Sequence, residues 1–402
     1  MKRSKMNIGQ WFTGLFRVWR REFRLVFGDV GVMLFFLVLP LFYPLVYTLI
    51  YNTEIVKDID VAVVDESRTP ESRQLAQMID ATQSIRVYGY APNLQEARQM
   101  VNEHKCYGVL QIPGDYAKKI GRGEQGVATF YSDMSLLLRY RAFVSALTDV
   151  QMALGTEIQT AEINMIGLPA QSVSGAPVKS EAIMLGDPTQ GFASFIIPGI
   201  LVLIIQQSLI LGVTMLAAGG RERRLRNGGV DPLAVNAGAG ATVIGKMLCY
   251  LMIYVPVVIY VLHIVPMIFS LPHIGNVWDY MVFIIPMIMA ASFLGMLLST
   301  MVTERESSML VVVFTSVVFL FLSGLTWPRY AMHWFWSLLG DCIPATWGVE
   351  GFVTLNSNAS PLYEQSHPWL MLWVLTAVYG VLAYVLHRYQ RRGGRRCLLC
   401  GK

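Results

Sequence analysis

Charged residues and cysteines are both scarce in this sequence of 402 residues. Asp, Glu, Lys and Arg make up 15% of the chain and hydrophobic residues 54%, whereas soluble proteins average about 25% charged residues. The five cysteines are scattered, and only Cys397 and Cys400 form a close pair. That pair lacks the second pair of ligands that a zinc site needs, so zinc binding is not expected. The composition excludes an ordinary soluble enzyme and favours a membrane protein.

Charge is absent altogether from residues 188–220, which contain no Asp, Glu, Lys, Arg or His. A helix needs about 20 apolar residues to cross the hydrocarbon of a bilayer, and this stretch exceeds that length. The cluster Arg221-Glu222-Arg223-Arg224-Leu225-Arg226 follows at once. Basic clusters at the end of a span are kept on the cytoplasmic side. The stretch therefore predicts a membrane span that ends in the cytoplasm.

The basic residues are sorted along the chain in a way that fixes the predicted topology. Residues 1–30 carry seven Lys or Arg and two acidic residues. Residues 388–402 carry six Lys or Arg and no acidic residue. Residues 52–190 carry twelve basic and seventeen acidic residues. The positive-inside rule places both ends in the cytoplasm and residues 52–190 outside. Each basic end adjoins an apolar span, so nucleic acid is not an expected partner.

Residues 1–30 predict a cytoplasmic amphipathic helix that lies at the membrane interface. Apolar residues recur at helical spacing from Ile8 to Val26, and the arginines fall largely between them. Those arginines also exclude a cleaved signal peptide, which requires an unbroken apolar core. The alternative is a continuous extension of the first span.

Residues 52–190 predict a small α/β domain. Short β-branched runs at 60–65, 84–88, 106–112 and 126–131 alternate with amphipathic stretches, and a long helical pattern over 136–166 follows as a stalk. Thr69 and Asn93 occupy the N-cap positions of the first two helices. The predicted fold is a polytopic α-helical membrane protein with six transmembrane helices and an extracytoplasmic α/β domain inserted between helices 1 and 2.

The predicted helix 1 spans residues 31–51, and residues 191–387 hold helices 2 to 6. Within the second region we expect a cytoplasmic loop over 221–245 and an outer segment over 327–368. The apolar stretches of that segment, 330–339 and 346–355, are too short to span, so they predict re-entrant or interfacial pieces. Residues 388–402 form a basic cytoplasmic tail. The loop is longer than topology requires, so it either only fixes topology or also docks a cytoplasmic partner.

Motifs for catalysis are missing. The run from Gly240 to Lys246 fits the first seven positions of a phosphate-binding loop, but Met247 stands where Ser or Thr must hold magnesium. No zinc-protease, serine-hydrolase or paired-carboxylate pattern occurs. We expect no catalytic, cofactor or metal site in this chain and no enzyme activity of its own.

Three polar residues lie inside predicted spans: Gln206, Gln207 and His263. Polar groups at membrane depth need partners, so each forms a hydrogen bond between helices or lines a translocation path. No Asp or Glu lies inside a predicted span, and ion-coupled carriers usually need a titratable group there.

The layout resembles the permease subunits of type 2 ABC exporters, in the subgroup with a large outer domain between the first two spans. The resemblance covers nearly the whole chain and rests on five short stretches in order: Val61-Ala-Val-Val-Asp65, Tyr107-Gly-Val-Leu-Gln-Ile-Pro113, Ile244-Gly245-Lys246, Ser323-Gly324-Leu325 and Ile343-Pro344-Ala-Thr-Trp347.

The resemblance implies an ATP-driven exporter of small molecules or drugs in the bacterial cytoplasmic (inner) membrane. ATP and magnesium would bind to separate ATPase subunits, and the other expected partners are a second permease chain in a homo- or heterodimer, membrane lipid and a periplasmic adaptor. The expected ATPase-docking residues are Trp19, Arg20, Arg24, Arg221, Glu222, Arg223, Arg224 and Arg226. Two alternatives are an ion-coupled secondary transporter and a membrane receptor or scaffold with a ligand-binding outer domain.

Overall fold

The structure, a computed structural model, describes residues 8–51, 56–132, 137–165, 191–228, 231–302 and 304–400. Six helices in these residues are long and apolar enough to cross a membrane. We number these spans 1 to 6, as Val30–Tyr51, Phe192–Arg226, Ala239–Ile268, Val277–Met301, Arg305–Leu322 and Leu362–Gln390. Their number agrees with the six transmembrane helices that the sequence predicts.

The chain divides into two compact units. One unit contains the six spans and comprises Met1–Asn52 and Met184–Lys402. The other unit is Thr53–Ile183, which lies between spans 1 and 2 in the sequence. Each unit has its own hydrophobic core.

The N-terminal helix, Ile8–Gly28, is separate from span 1. Asp29 interrupts the helical backbone with φ −118° and ψ 109°. Its carboxylate then accepts hydrogen bonds from the backbone N–H groups of Gly31 (3.2 Å) and Val32 (3.4 Å). This is the arrangement of an N-cap, which satisfies N–H groups that have no partner within the helix. The helix is therefore a distinct element and does not extend span 1.

Span 2 lies at the centre of its unit, and most of its apolar residues are buried. Small residues allow its neighbours to approach closely. At Gly212 a side chain would collide with the ring of Phe36 on span 1. Prolines interrupt the hydrogen bonding of several spans, and π-helical turns occur over Leu34–Val38 in span 1 and Tyr260–Ile264 in span 3.

Residues 327–368 contain two short helices, Trp334–Asp341 and Pro344–Ser357. The first exposes most of its aromatic side chains, including Trp334 and Trp336. The second is largely buried and contacts spans 2, 4 and 6. Gly351 makes this packing possible, because a side chain there would collide with Phe283 of span 4.

The unit Thr53–Ile183 is built on a four-stranded sheet with the order β2-β1-β3-β4. The strands are β1 Ile59–Asp65, β2 Ile85–Tyr90, β3 Gly108–Ile112 and β4 Thr129–Ser132. β1 is parallel to β2 and β3, whereas β4 is antiparallel to β3. The helices are Pro70–Asp80, Leu94–Asn102, Tyr116–Ile120 and the long helix Leu137–Met165. Thr69 and Asn93 cap the first two, as predicted.

Alternating side chains of β1 enter separate cores on the two faces of the sheet. Val61 and Val63 pack with the helices Pro70–Asp80 and Leu137–Met165, while Ala62 and Val64 pack with the helix Leu94–Asn102. The period of two along a strand explains this separation. The continuation of the predicted stalk and loop through residues 166–190 lies outside the described residues.

The connection between spans 2 and 3 is shorter than the loop 221–245 that the sequence predicts. Span 2 remains helical to Arg226, and the next helix begins at Ala239. Asp231 lies in this connection, outside any helix. Its side chain accepts a hydrogen bond from the Leu233 N–H (3.1 Å) in a turn. Ion pairs with two arginines hold that turn in place.

Candidate functional site

The N-terminal helix packs against the start of span 3 through one buried stripe. Gly14, Val18, Glu22 and Val26 recur at intervals of four residues and are all buried. Gly245 of span 3 allows the approach, since a side chain there would lie 2.9 Å from the Leu15 carbonyl oxygen. The second glycine of the near-match to a phosphate loop therefore serves helix packing.

Glu22 places a carboxylate inside this contact. It is 1% exposed, and its Oε1 lies 2.8 Å from Lys246 Nζ and 3.7 Å from Arg21 Nη1. A buried charge is costly unless it is paired. Lys246, the last residue of the near-match, supplies the pairing cation. The helix and span 3 are thus joined by an ion pair as well as by packing.

Asp231 is the second buried carboxylate at this end of the spans and is 6% exposed. It receives Arg21 Nη2 at 2.7 Å and Arg223 Nε at 3.3 Å. Arg21 belongs to the N-terminal helix and Arg223 to the last turn of span 2. The carboxylate therefore links the turn after span 2 to both of these elements.

Arg305 makes a third link, at the start of span 5. Its Nη2 lies 2.7 Å from Asp29, and Glu222 accepts from its backbone N–H at 3.0 Å. Gly219 leaves room for the guanidinium, because a side chain there would lie 2.8 Å from Arg305 Nη2.

Arg221 joins span 2 to the end of span 4. Its guanidinium donates to the carbonyl oxygens of Thr300 (3.3 Å) and Val302. A cation is favourable at this position, because the last carbonyl groups of a helix carry negative partial charge and need partners.

The residues predicted to dock an ATPase fall into two groups. Arg221, Glu222 and Arg223 are partly buried and are occupied by the contacts above. Arg20, Arg24, Arg224 and Arg226 are exposed. Trp19 is partly buried and stacks between two phenylalanines, with ring centroids 5.5 Å from Phe16 and 5.7 Å from Phe23.

The three residues predicted for a translocation path do not form one cluster. Gln206 is fully buried, and its Oε1 accepts a hydrogen bond of 2.6 Å from the Ala345 N–H, in the first turn of the helix Pro344–Ser357. Both side-chain polar atoms of Gln207 are buried without a hydrogen-bond partner among the described residues. Gln206 thus forms a hydrogen bond between helices, the first of the two roles that the sequence left open.

His263 belongs to a polar cluster at the other end of span 3. Its Nδ1 lies 3.0 Å from His273 Nε2 and 2.9 Å from the Tyr280 hydroxyl. His273 also contacts Asn356 Oδ1, and Asn356 donates to the Pro272 carbonyl at 3.2 Å. The cluster connects spans 3 and 4 with the helix Pro344–Ser357.

Burial lowers the pKa of His273. The contact with Asn356 raises this pKa in part, and the neighbouring His263 lowers it further. His273 therefore resists protonation in the folded protein.

An arginine holds the two short helices together. Arg329 Nη1 lies 2.6 Å from Glu350, its Nη2 contacts Asp341, and its guanidinium carbon stacks 4.4 Å from the Trp347 ring centroid. The Trp347 indole N–H donates to the Asp341 carbonyl at 3.0 Å. These contacts join the helices Trp334–Asp341 and Pro344–Ser357 to each other.

The ion pairs at this end of the spans form a network. Five of its members were not predicted from the sequence, the acids Glu22, Asp29 and Asp231 and the cations Lys246 and Arg305. One signal was present, because Glu22 interrupts an apolar stripe four residues after Val18 and four before Val26. Among the described residues, no group of three or more His, Cys, Asp or Glu is placed to hold a metal ion.

Comparison with known families assigns the chain. Residues 31–385 match the model of the ABC-2 family transporter proteins. This match covers all six spans up to the last turns of span 6 and the whole inserted unit, but it does not include the N-terminal helix. No curated protein matches the sequence. The chain therefore belongs to the ABC-2 transporter family and is a multi-pass membrane permease subunit whose partners are ABC ATPase subunits.

Proposed function

We propose that this permease exports a small molecule or drug-like substrate and that ATP hydrolysis by its partner ATPases supplies the energy. ATP and magnesium bind to the partner ATPases, and two permease chains enclose the path. The protein lies in the bacterial cytoplasmic (inner) membrane with both ends in the cytoplasm. The unit Thr53–Ile183 is the extracytoplasmic domain, available to a periplasmic adaptor.

The ion-pair network supports energy coupling. It ties the N-terminal helix to span 3 through Glu22 and Lys246, and to span 2 through Asp231 with Arg21 and Arg223. Arg305 joins span 5 to Glu222 of span 2 and to Asp29, the residue that follows the N-terminal helix. A force applied to the N-terminal helix is therefore passed directly to spans 2 and 3, and through Arg305 to span 5. Arg20, Arg24, Arg224 and Arg226 remain exposed around the network. We assign the ATPase-docking surface to these four arginines.

The test is recovery of the ATPase with the tagged permease at low and moderate salt. Replacing the four arginines of the docking surface with Gln removes exposed ion pairs that contribute about 0–1 kcal/mol each. We expect roughly thirtyfold weaker association, for a total of about 2 kcal/mol. Weaker association should also depend less on salt, since fewer charge pairs remain to be screened.

The matched control replaces Lys118 and Arg122, which are exposed basic residues of the unit Thr53–Ile183. Their removal should leave ATPase recovery unchanged. Unchanged recovery with the four-arginine variant would contradict this docking surface. Failure to recover any ABC ATPase with the wild-type chain, together with substrate export that persists without ATP, would contradict ATP-driven export.

Substrate class is tested by export itself. Proteoliposomes that contain the permease and its ATPase should accumulate an amphiphilic dye only when ATP is supplied on the ATPase side. Dye accumulation driven by an ion gradient without ATP would instead favour a secondary transporter.

A further inference from the structure

A cationic cavity lies at the end of the spans, next to the ion-pair network. It has a volume of about 180 Å³ and is bordered by the N-terminal helix and spans 2, 3, 4 and 6. Its lining includes five cations, Arg21, Arg221, Arg223, Arg224 and Lys246. Only two carboxylates, Glu22 and Asp231, also line it.

The two carboxylates are already paired within the protein. Glu22 lies against Lys246 and Arg21, and Asp231 lies against Arg21 and Arg223. The excess positive charge is therefore not neutralised by the carboxylates that line the cavity. An anion that entered the cavity would meet this charge in a partly dehydrated setting, where electrostatic attraction is stronger than in water.

Two guanidinium groups at the cavity are available to a ligand. Arg224 lines the cavity with an exposed side chain and makes no hydrogen bond or ion pair within the described part of the chain. Arg21 Nε is buried and has no hydrogen-bond partner, while its terminal nitrogens bind Asp231 and Glu22. Buried donors without acceptors are rare in folded proteins and call for a ligand or ordered water.

We propose that this cavity binds a phosphate group. Guanidinium groups match phosphate oxygens with two parallel hydrogen bonds, which favours phosphate where arginines converge. The volume is sufficient, since a water molecule occupies about 30 Å³ of liquid. The phosphate comes either from an anionic lipid headgroup or from a free phosphate. Basic pockets between the ends of transmembrane helices are suited to the headgroup.

The test measures binding of phosphatidylglycerol to the full chain, without ATPase, and therefore does not depend on the proposed function. The protein is reconstituted in phosphatidylcholine nanodiscs with increasing fractions of phosphatidylglycerol. Retained lipid is then counted by native mass spectrometry. Arg224→Gln should weaken phosphatidylglycerol retention about tenfold, the effect of losing one charge-assisted hydrogen bond. Arg224→Lys, which keeps the charge, should restore part of it.

Arg226→Gln is the matched control. Arg226 lies two residues after Arg224, is exposed and does not line the cavity, so the substitution removes the same charge outside the proposed site. Its phosphatidylglycerol retention should equal that of the wild type. Equal losses for the Gln variants at 224 and 226 would indicate attraction to the surface as a whole and would overturn the proposal. Retention unchanged in both variants would exclude the lipid headgroup as the source of the phosphate.

A second arm separates the sources of phosphate. Inorganic phosphate is added to the protein in neutral detergent, with equal ionic strength of chloride as reference. A rise in melting temperature that is lost in Arg224→Gln, while phosphatidylglycerol retention does not differ between this variant and the wild type, assigns the cavity to free phosphate. Phosphatidylglycerol retention without any effect of inorganic phosphate assigns it to the lipid headgroup. No response in either arm would overturn the proposal.

Discussion

Glu22 joins the N-terminal helix to span 3 through a buried ion pair. Its carboxylate is 1% exposed, and Lys246 Nζ lies 2.8 Å away. Removing one partner of a buried ion pair leaves the other charge without compensation, which costs about 3–5 kcal/mol. We expect Lys246→Ala to lower the stability of the permease by about 3 kcal/mol, measured by thermal or denaturant unfolding in detergent.

The double substitution Glu22→Gln with Lys246→Met provides the control for that prediction. It removes both charges, and replacing a whole buried pair by uncharged groups is often neutral. We expect the double variant to be more stable than Lys246→Ala. A double variant less stable than Lys246→Ala would mean that packing around Lys246, and not its charge, holds the N-terminal helix.

Gln206 and Gln207 are neighbours in sequence, but among the described residues only Gln206, through its Oε1, has a side-chain hydrogen bond. Gln206→Leu should destabilise the protein by about 1–3 kcal/mol, because it leaves the buried Ala345 N–H without its acceptor. Gln207→Leu should be neutral or stabilising, because both polar atoms of Gln207 are buried without partners. Unfolding midpoints of the two variants test the contrast. A strong loss of stability in Gln207→Leu alone would contradict it.

The same two variants test the translocation path. If Gln207 contacts substrate, Gln207→Leu changes the substrate concentration needed for half-maximal export without lowering stability. Gln206→Leu should instead reduce export in proportion to the loss of folded protein, because its side chain holds the helix Pro344–Ser357.

At the scale of elements, the helices and strands could be predicted from local signals in the sequence. The contacts between these elements could not. Apolar length predicted the spans, and alternation and capping at Thr69 and Asn93 predicted the small sheet and its helices. The two short helices within residues 327–368 also overlap the short apolar stretches that the sequence shows at 330–339 and 346–355. These features depend on neighbouring residues only, which is why one sequence suffices to find them.

The extent of the loop after span 2 could not be predicted in the same way. Arg221 and Arg223 resemble exposed loop residues by composition, yet both are held by groups distant in sequence or by the turn at Asp231. These contacts stabilise the helix through Arg226. Charge alone predicts that such residues are solvated, and only the tertiary structure shows which of them are paired.

His273, which contacts His263, Tyr280 and Asn356, makes stability depend on pH. Because the pKa of His273 is lowered in the folded state, the folded protein binds fewer protons than the unfolded chain below the ordinary histidine pKa of about 6.5. Stability is therefore retained above this pH and falls as the pH is lowered below it. We expect the melting temperature of the permease to decrease between about pH 6.5 and 5.5.

His273→Gln isolates this contribution, because it removes the titrating group and keeps a polar side chain near Asn356. Its melting temperature should change less with pH than that of the wild type. His104→Asn, in an exposed left-handed position of the other unit, should keep the wild-type dependence. A His273→Gln variant with the full wild-type dependence would assign the effect to other groups.

At the scale of the whole molecule, charge is concentrated where the spans end. The buried carboxylates Glu22 and Asp231 and their cations lie beside the last turns of spans 2 and 4 and the first turns of spans 3 and 5. The sequence predicted from its arginines that positive charge is concentrated after span 2, and the cytoplasmic side of this concentration stays a prediction. It could not predict that much of the charge is internal, because pairing depends on which helices meet.

The orientation of the molecule is tested by cysteine labelling. The five native cysteines are first replaced, since Cys342 is exposed and would react. Single cysteines are then introduced at the exposed positions Arg122, Asn227 and Tyr330. The charge distribution along the chain predicts that Arg122 and Tyr330 lie outside and that Asn227 lies in the cytoplasm. A membrane-impermeant maleimide should therefore label Arg122→Cys and Tyr330→Cys in intact cells, and Asn227→Cys only after permeabilisation.

Labelling of Asn227→Cys in intact cells would contradict the orientation of span 2. Protection of Arg122→Cys until permeabilisation would contradict the extracytoplasmic position of the unit Thr53–Ile183.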